Sequence, residues 1–194
     1  MPVAQYSGRV DLVQWATDVA GSKLSAPLPR RWAHVQGVGR RAGEAAALFG
    51  ADGELLVAAG VLHDVGYAPE LVDTGFHAID GARFLRSVGA PERLVHLVAH
   101  HSCAVVEAGL RGVSAKLAEF EDEKSPVRDA LWWADLTTTP DGGPTTIEQR
   151  AAEISERYGP EHVVPRFIRQ AWPELLGAVE RTGAALKASR SRRG

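Results

Sequence analysis

An all-α fold, built as one helical bundle, is what this sequence predicts. Nearly every periodic segment carries the spacing of a helix, and strand-like alternation bounded by hairpin turns is absent. With 45% hydrophobic residues, a chain of 194 residues has enough apolar material to bury a core. That length fits one domain better than two.

The first helix is expected over residues 9–19, ending at Gly21. Pro27 and Pro29 break the chain before a long helix over 32–49, whose Val35, Val38, Ala42, Ala45 and Phe49 form one apolar stripe. Residues 50–53 make a turn. The next helix, 54–63, is apolar on all sides, which marks it as central in the core, and it stops at Asp64-Val65-Gly66. Helices follow over 77–88 and 91–101, separated by Gly89, with Pro91 in the favoured first turn of the second.

Residues 103–124, with Gly109, Gly112 and acidic residues from 119 to 123, read as a surface loop or short helix. Ser125-Pro126 then supplies an N-cap and a first-turn proline for a helix that runs through Asp135 to 138. The Gly/Pro segment 140–144 stops it. This segment is too short to act as a linker, so 145–158 and 161–186 read as further packing helices on the same body. The expected division is an N-terminal helix and linker (1–29), a core (30–140) and C-terminal packing helices of the same domain (141–194). No internal repeat or low-complexity tract is present.

Composition excludes several function classes. A net charge of −2 offers no global field for a nucleic-acid polymer, and the basic residues from Lys187 to Arg193 read as a solvated tail. Cys103 is the only cysteine, so no intramolecular disulfide forms, in keeping with a reducing cytoplasm. The start of the chain lacks a charged region followed by an apolar stretch and is read as carrying no signal peptide. No apolar run approaches the roughly 20 residues that cross a bilayer. The expected location is cytoplasmic, away from membranes.

The chemistry lies in histidines and aspartates placed within apolar segments, where polar groups need partners. His34 stands in the first turn of the long helix, and His63-Asp64 ends the apolar one. Asp135 follows Trp132, Trp133 and Ala134, where an unpaired carboxylate is costly. Leu94, Leu97 and Val98 are spaced to put His101 on the inward face of its helix, and His77 opens the preceding helix with Gly81 one turn later.

These six residues comprise four imidazoles and two carboxylates. That mixture suits one or two divalent transition-metal ions (Mn, Fe, Co, Ni or Zn) better than magnesium or calcium, which prefer oxygen shells. The natural division gives one ion His34, His63, Asp64 and Asp135, and the other His77, His101 and the far oxygen of Asp64. Six ligands leave open positions for water and substrate. Two ions roughly 3.5 to 4 Å apart would suit in-line displacement at phosphorus.

The order His34, His63-Asp64, Asp135 resembles the HD-domain superfamily of metal-dependent phosphohydrolases, over about residues 30–140. His77 followed by Gly81, then His101-Ser102, further resembles its dinuclear branches, including the bacterial diadenosine tetraphosphate hydrolases. The resemblance implies a helical bundle of the HD-domain type. It also implies metal ligation by His34, His63, Asp64 and Asp135, with His77 and His101 assisting at a second ion. Two departures stand out. Ala68 intervenes between Gly66-Tyr67 and Pro69, unlike the Gly-Tyr-Pro motif of the cyclic-di-GMP phosphodiesterases. Glu70 and Asp73 do not match the catalytic acids of the mononuclear nucleotidases.

The expected function is hydrolysis of a nucleotide or related small phosphate ester by metal-activated water, with His63 and Asp64 at its centre. The alternatives are a di-iron oxygenase of the same superfamily and a non-catalytic nucleotide-sensing module. Arg30 and Arg31 are candidates for binding a substrate phosphate with bidentate donors, against the plainer reading of a solvated pair. Ser102 is a candidate for a hydrogen bond at the site, against helix capping. Trp132 and Trp133 read as core, Cys103 as a small buried hydrophobe, His100 as a supporting or exposed residue, and His96 and His162 as surface residues.

Overall fold

The computed structural model describes residues 5–8 and 11–192. The chain start, the first two residues of the expected 9–19 helix and Arg193 of the basic tail lie outside the described residues. The structure is all-α. Its helices are α1 (Leu12–Leu24), α2 (Pro29–Ala46), α3 (Gly53–Leu62), α4 (His77–Ser87), α5 (Glu92–Ala99), α6 (Ala104–Arg111), α7 (Ser114–Leu117), α8 (Pro126–Leu136), α9 (Ile147–Tyr158) and α10 (Val163–Ser191). None is long and apolar enough to cross a membrane among the described residues.

Helix α1 starts at Asp11, whose Oδ1 accepts from Gln14 N at 2.8 Å, and runs through Gly21 rather than ending there. A mid-helix glycine costs only about 1 kcal/mol, and the buried stripe of Val19, Ala20 and Leu24 carries the helix past it. Pro29 does not break the chain. It sits at the first helical position, where its missing N–H is harmless, so α2 begins three residues before the expected start. It also stops earlier, leaving Phe49 beyond its end.

Helix α3 is the centre of the bundle, packed on α1, α2, α5 and α8. Leu56 and Leu62 are fully buried, and each such burial contributes about 1.5–3 kcal/mol. The chain leaves α3 through His63 and Asp64 into a 3-10 turn, Val65–Tyr67, that lies against the start of α4. The loop entering α4 is tied by the buried Asp80, whose carboxylate accepts from Thr74 N at 2.9 Å and Thr74 Oγ1 at 2.7 Å.

Helix α5 ends at Ala99, two residues before the sequence places its end. His101–Cys103 form a 3-10 turn in which Ser102 and Cys103 hold positive φ values of 46° and 59°. Part of the 103–124 stretch is helical, as α6 and α7. Ser125 caps α8 through its Oγ, which accepts from Arg128 N at 3.2 Å.

The 140–144 segment is a turn clamped onto α2. A Cβ on Gly37 would lie 2.5 Å from the Gly142 Cα, so only glycine lets the turn approach so closely. Helix α9 begins with a capping box between Thr146 and Gln149, and α10 begins at the His162 cap and continues through Pro173. Among the described residues, α9 and α10 pack on each other, and α10 also covers α8 and α6.

Candidate metal centre

Five separate segments deliver the polar groups. His34 belongs to the buried stripe of α2, His63 and Asp64 follow the last turn of α3, His77 opens α4, His101 opens the 3-10 turn after α5, and Asp135 lies in the last turn of α8. The structure brings all six together. The Asp64 carboxylate stands between two sets of nitrogens. Its Oδ2 lies 3.4 Å from His63 Nε2 and 3.9 Å from His34 Nε2, and its Oδ1 lies 3.3 Å from His77 Nε2 and 3.8 Å from His101 Nε2. Asp135 Oδ1 is 3.1 Å from His34 Nε2 and 3.7 Å from His63 Nε2. Two groupings have ligand atoms close enough to share an ion: His34, His63 and Asp135, and Asp64, His77 and His101.

The backbone sets the imidazole tautomers. His34 Nδ1 lies 3.0 Å from Thr139 O, His63 Nδ1 2.8 Å from Gly60 O and His101 Nδ1 2.6 Å from Val98 O. A carbonyl oxygen only accepts, so each Nδ1 carries the proton and each Nε2 is left to face the cluster, as in histidines that ligate metals. His63 Nε2 is fully buried with no hydrogen-bond partner among the described residues, and such an atom costs about 1–3 kcal/mol if nothing satisfies it. The Nε2 atoms of His77 and His101 meet at 3.1 Å. Converging nitrogen donors, an orphaned buried nitrogen and two carboxylates fit divalent transition metal ions.

Charge divides the cluster. Burial disfavours the charged form of His63, but the carboxylates of Asp64 and Asp135 outweigh it and hold its pKa at about 9. Burial drives His77 well below the usual imidazole range and also lowers His101, where the His63 charge adds to the effect. Burial also opposes the charged forms of the carboxylates. Nevertheless, Arg31 and His63 hold Asp64 far below the ordinary range, and His63 and His34 do the same for Asp135.

A testable consequence concerns protons. Below about pH 9 the metal-free protein carries a proton on His63 that an arriving ion displaces. Metal affinity should therefore rise with pH, by up to about tenfold per unit between pH 7 and 9, with about one proton released. Calorimetric titration with Mn²⁺ in two buffers of different ionisation enthalpy reads that proton directly. Binding without proton release at pH 7.5 would show that His63 is not displaced.

The cluster opens into a cavity of about 90 Å³ that also touches Tyr67, Ser102 and Glu107, with Arg150, Phe167 and Ile168 covering it from α9 and α10. Arg31 Nη1 donates to Asp64 Oδ2 at 2.6 Å, and its guanidinium stacks 4.1 Å over Tyr67, whose ring stacks 4.0 Å from His77. Arg30 points elsewhere, forming an exposed pair with Asp141 at 2.8 Å. Ser102 caps no helix; its Oγ donates to Asp135 Oδ2 at 2.5 Å.

His101 reaches the cluster through the 3-10 turn, not from the inward face of α5, because that helix ends at Ala99. His100 is buried and donates to Phe120 O at 2.9 Å, away from the cluster. Trp132 and Trp133 are core and Cys103 is buried, while His162 is an N-cap whose Nδ1 accepts from Val164 N.

Sequence reasoning did not find Tyr67, Glu107, Arg150 or the apolar roof of α10. Glu107 is nearly inaccessible, and its burial raises its pKa despite the partnership with Arg111. Arg150 lies in an otherwise polar helix and leaves no local signal, so only the placement of α9 and α10 over the cluster reveals it. Glu107 is the one acidic residue in the apolar run of α6, a signal of the kind that marks Asp135.

No curated protein and no solved structure matches the chain. The family model for the HD domain matches residues 31–159. That span contains every polar residue of the cluster and extends through α9, which contributes Arg150 to the cavity. By this match over most of its length, the chain belongs to the HD domain family.

Proposed function

We propose that this chain is a metal-dependent phosphohydrolase that cleaves a nucleotide or related small phosphate ester. One observation carries the reading: the Asp64 carboxylate stands between two sets of imidazole nitrogens, with the Arg31 guanidinium against it. His34, His63, Asp64 and Asp135 would hold one ion, and His77, His101 and the second Asp64 oxygen another, drawn from Mn, Fe, Co, Ni and Zn. Such ions, when bound, supply Lewis acidity toward phosphoryl oxygens and make water acidic enough to act as a nucleophile near neutral pH.

The chain's own groups do the rest. Arg31 presents a planar fork of donors at the edge of the cluster, suited to phosphate oxygens, and Tyr67 holds that fork flat against its ring. Ser102 orients Asp135 from the far side. Phe167 and Ile168 add apolar lining to the cavity, and less water around the cluster strengthens its charge interactions. A cytoplasmic setting is part of the proposal, supported by the lone buried Cys103.

The test is metal analysis of protein purified without added metal, then phosphate release from a panel of nucleotides and phosphate esters with Mn²⁺, Co²⁺ or Ni²⁺. The expected result is bound transition metal and metal-dependent release of inorganic phosphate under anaerobic conditions. Iron content with oxygen uptake and no phosphate release would overturn the reading in favour of an oxygenase. Nucleotide binding without turnover across the panel would overturn it in favour of a sensor.

A further inference from the structure

Beside the metal centre lies a second cavity, of about 280 Å³, lined by proline and leucine residues and by four arginines: Arg30, Arg31, Arg150 and Arg157. Arg31, His34 and Arg150 line both spaces, so the two adjoin. The proposed hydrolytic chemistry uses only Arg31 of the four.

The charges around this cavity do not balance. Arg30 is answered by Asp141, while Arg150 and Arg157 share a single carboxylate, Glu153. Among the described residues, Arg31 is answered by Asp64 alone, whose oxygens also face the metal-centre histidines. The Arg30, Arg157 and Glu153 side chains are substantially exposed. Exposed pairs of this kind are weak, so an anion of better geometry can take over their donors. Arg150, by contrast, is buried and fixed at the boundary between the two spaces.

We propose that this cavity is the site for a second phosphate group of the substrate, held by Arg150 and Arg157, while the first phosphate lies at the metal centre. The proposal rests on the phosphohydrolase reading and narrows it to molecules carrying at least two phosphates and an organic group that packs on the proline wall. Two arrangements share this chemistry, a diphosphate chain and two phosphates on separate carbons.

The experiment is calorimetric binding of AMP, ADP and adenosine 3′,5′-bisphosphate to the full chain loaded with metal, with turnover measured separately. The wild type should bind ADP or the bisphosphate at least about tenfold tighter than AMP, as expected for added charge-assisted contacts. The preferred member of the two identifies the arrangement. Arg157→Ala should erase most of that preference, weakening the two-phosphate ligand about tenfold and AMP by less than about threefold. Arg157→Lys should restore part of it, because the charge returns without the fork.

Equal affinity for all three ligands, or an equal loss for all three in Arg157→Ala, would overturn the proposal. Selectivity in binding with no phosphate release from these ligands or from the wider panel of phosphate esters would leave the second site standing and remove the hydrolase reading. Hydrolysis without selectivity would do the reverse.

Discussion

Replacing Asp64 with alanine is expected to remove bound metal from both halves of the centre and to lower phosphate release by about three orders of magnitude or more. The size follows from the several kcal/mol that metal ions contribute to a phosphoryl transition state, at tenfold per 1.36 kcal/mol. Both halves fail together because this one carboxylate faces all four imidazoles, with Oδ2 toward His34 and His63 and Oδ1 toward His77 and His101. Loss of any single histidine leaves the opposite set of donors in place.

The same substitution also leaves Arg31 without its partner at 2.6 Å, and breaking a mostly buried pair costs about 3 kcal/mol. The stability sign is fixed by the depressed pKa of Asp64: its contribution is present above the ordinary carboxylate range and disappears as pH falls through the folded-state value. Asp64→Asn separates charge from shape, since the amide keeps a hydrogen-bonding oxygen but no charge. Metal content, phosphate release and thermal unfolding should be read together on both variants. Metal retention at wild-type stoichiometry by folded Asp64→Ala would show that the carboxylate is not the shared group.

Much of this site is legible in the sequence because several of its parts lie at helix ends. An all-round apolar segment is a buried helix, and a His-Asp pair at its end is held in the interior. That argument places His63 and Asp64 in the interior, and the Ser125-Pro126 start similarly places the helix of Asp135; it is the set with His34 and Asp135, not the pair alone, that points to a metal. His101 was legible only in part. The spacing of Leu94, Leu97 and Val98 gives its inward direction, but α5 ends at Ala99 and His101 opens a separate 3-10 turn whose next two residues, Ser102 and Cys103, are left-handed.

Non-glycine residues in that region cost about 1–3 kcal/mol each, so periodicity never predicts them. They persist here because His101 Nδ1 donates to Val98 O and Ser102 Oγ to Asp135. The roof was not legible at all. Phe167 and Ile168 follow the ordinary apolar period of α10, and Arg150 differs from other arginines only in lying under that helix. Prolines and glycines misled in a consistent way. Pro29 and Gly21 have the residue types of breaks, yet a proline at a first helical position and a glycine within a buried stripe are both tolerated.

Gly66 is where local fold and site meet most tightly, and Gly66→Ala should be the most damaging single methyl addition near the centre. A Cβ at this position would fall against the His77 carbonyl oxygen, 2.5 Å from Gly81 N and 2.9 Å from Gly81 Cα. These atoms are the backbone of the first turn of α4, so no side chain can swing aside to make room. Gly81 mirrors the requirement, since a Cβ there would lie 3.0 Å from Gly66 N. The two glycines let the turn that follows Asp64 lie directly on the helix that starts with His77.

Overpacking usually costs about 1–3 kcal/mol and more where backbone must move, so a loss of about 3 kcal/mol or more is expected. For a chain of this size that corresponds to a fall in Tm of roughly 6–12 °C. The displacement also acts on function, because α4 can yield only by moving away from the turn, and that takes His77 Nε2 away from Asp64 Oδ1, now 3.3 Å apart. Metal held by Asp64, His77 and His101 should fall more than metal held by His34, His63 and Asp135. Thermal unfolding with metal analysis on the same preparation checks both effects. A wild-type Tm would show that the turn and α4 do not need this contact, and a lowered Tm with full metal content would separate packing here from the site.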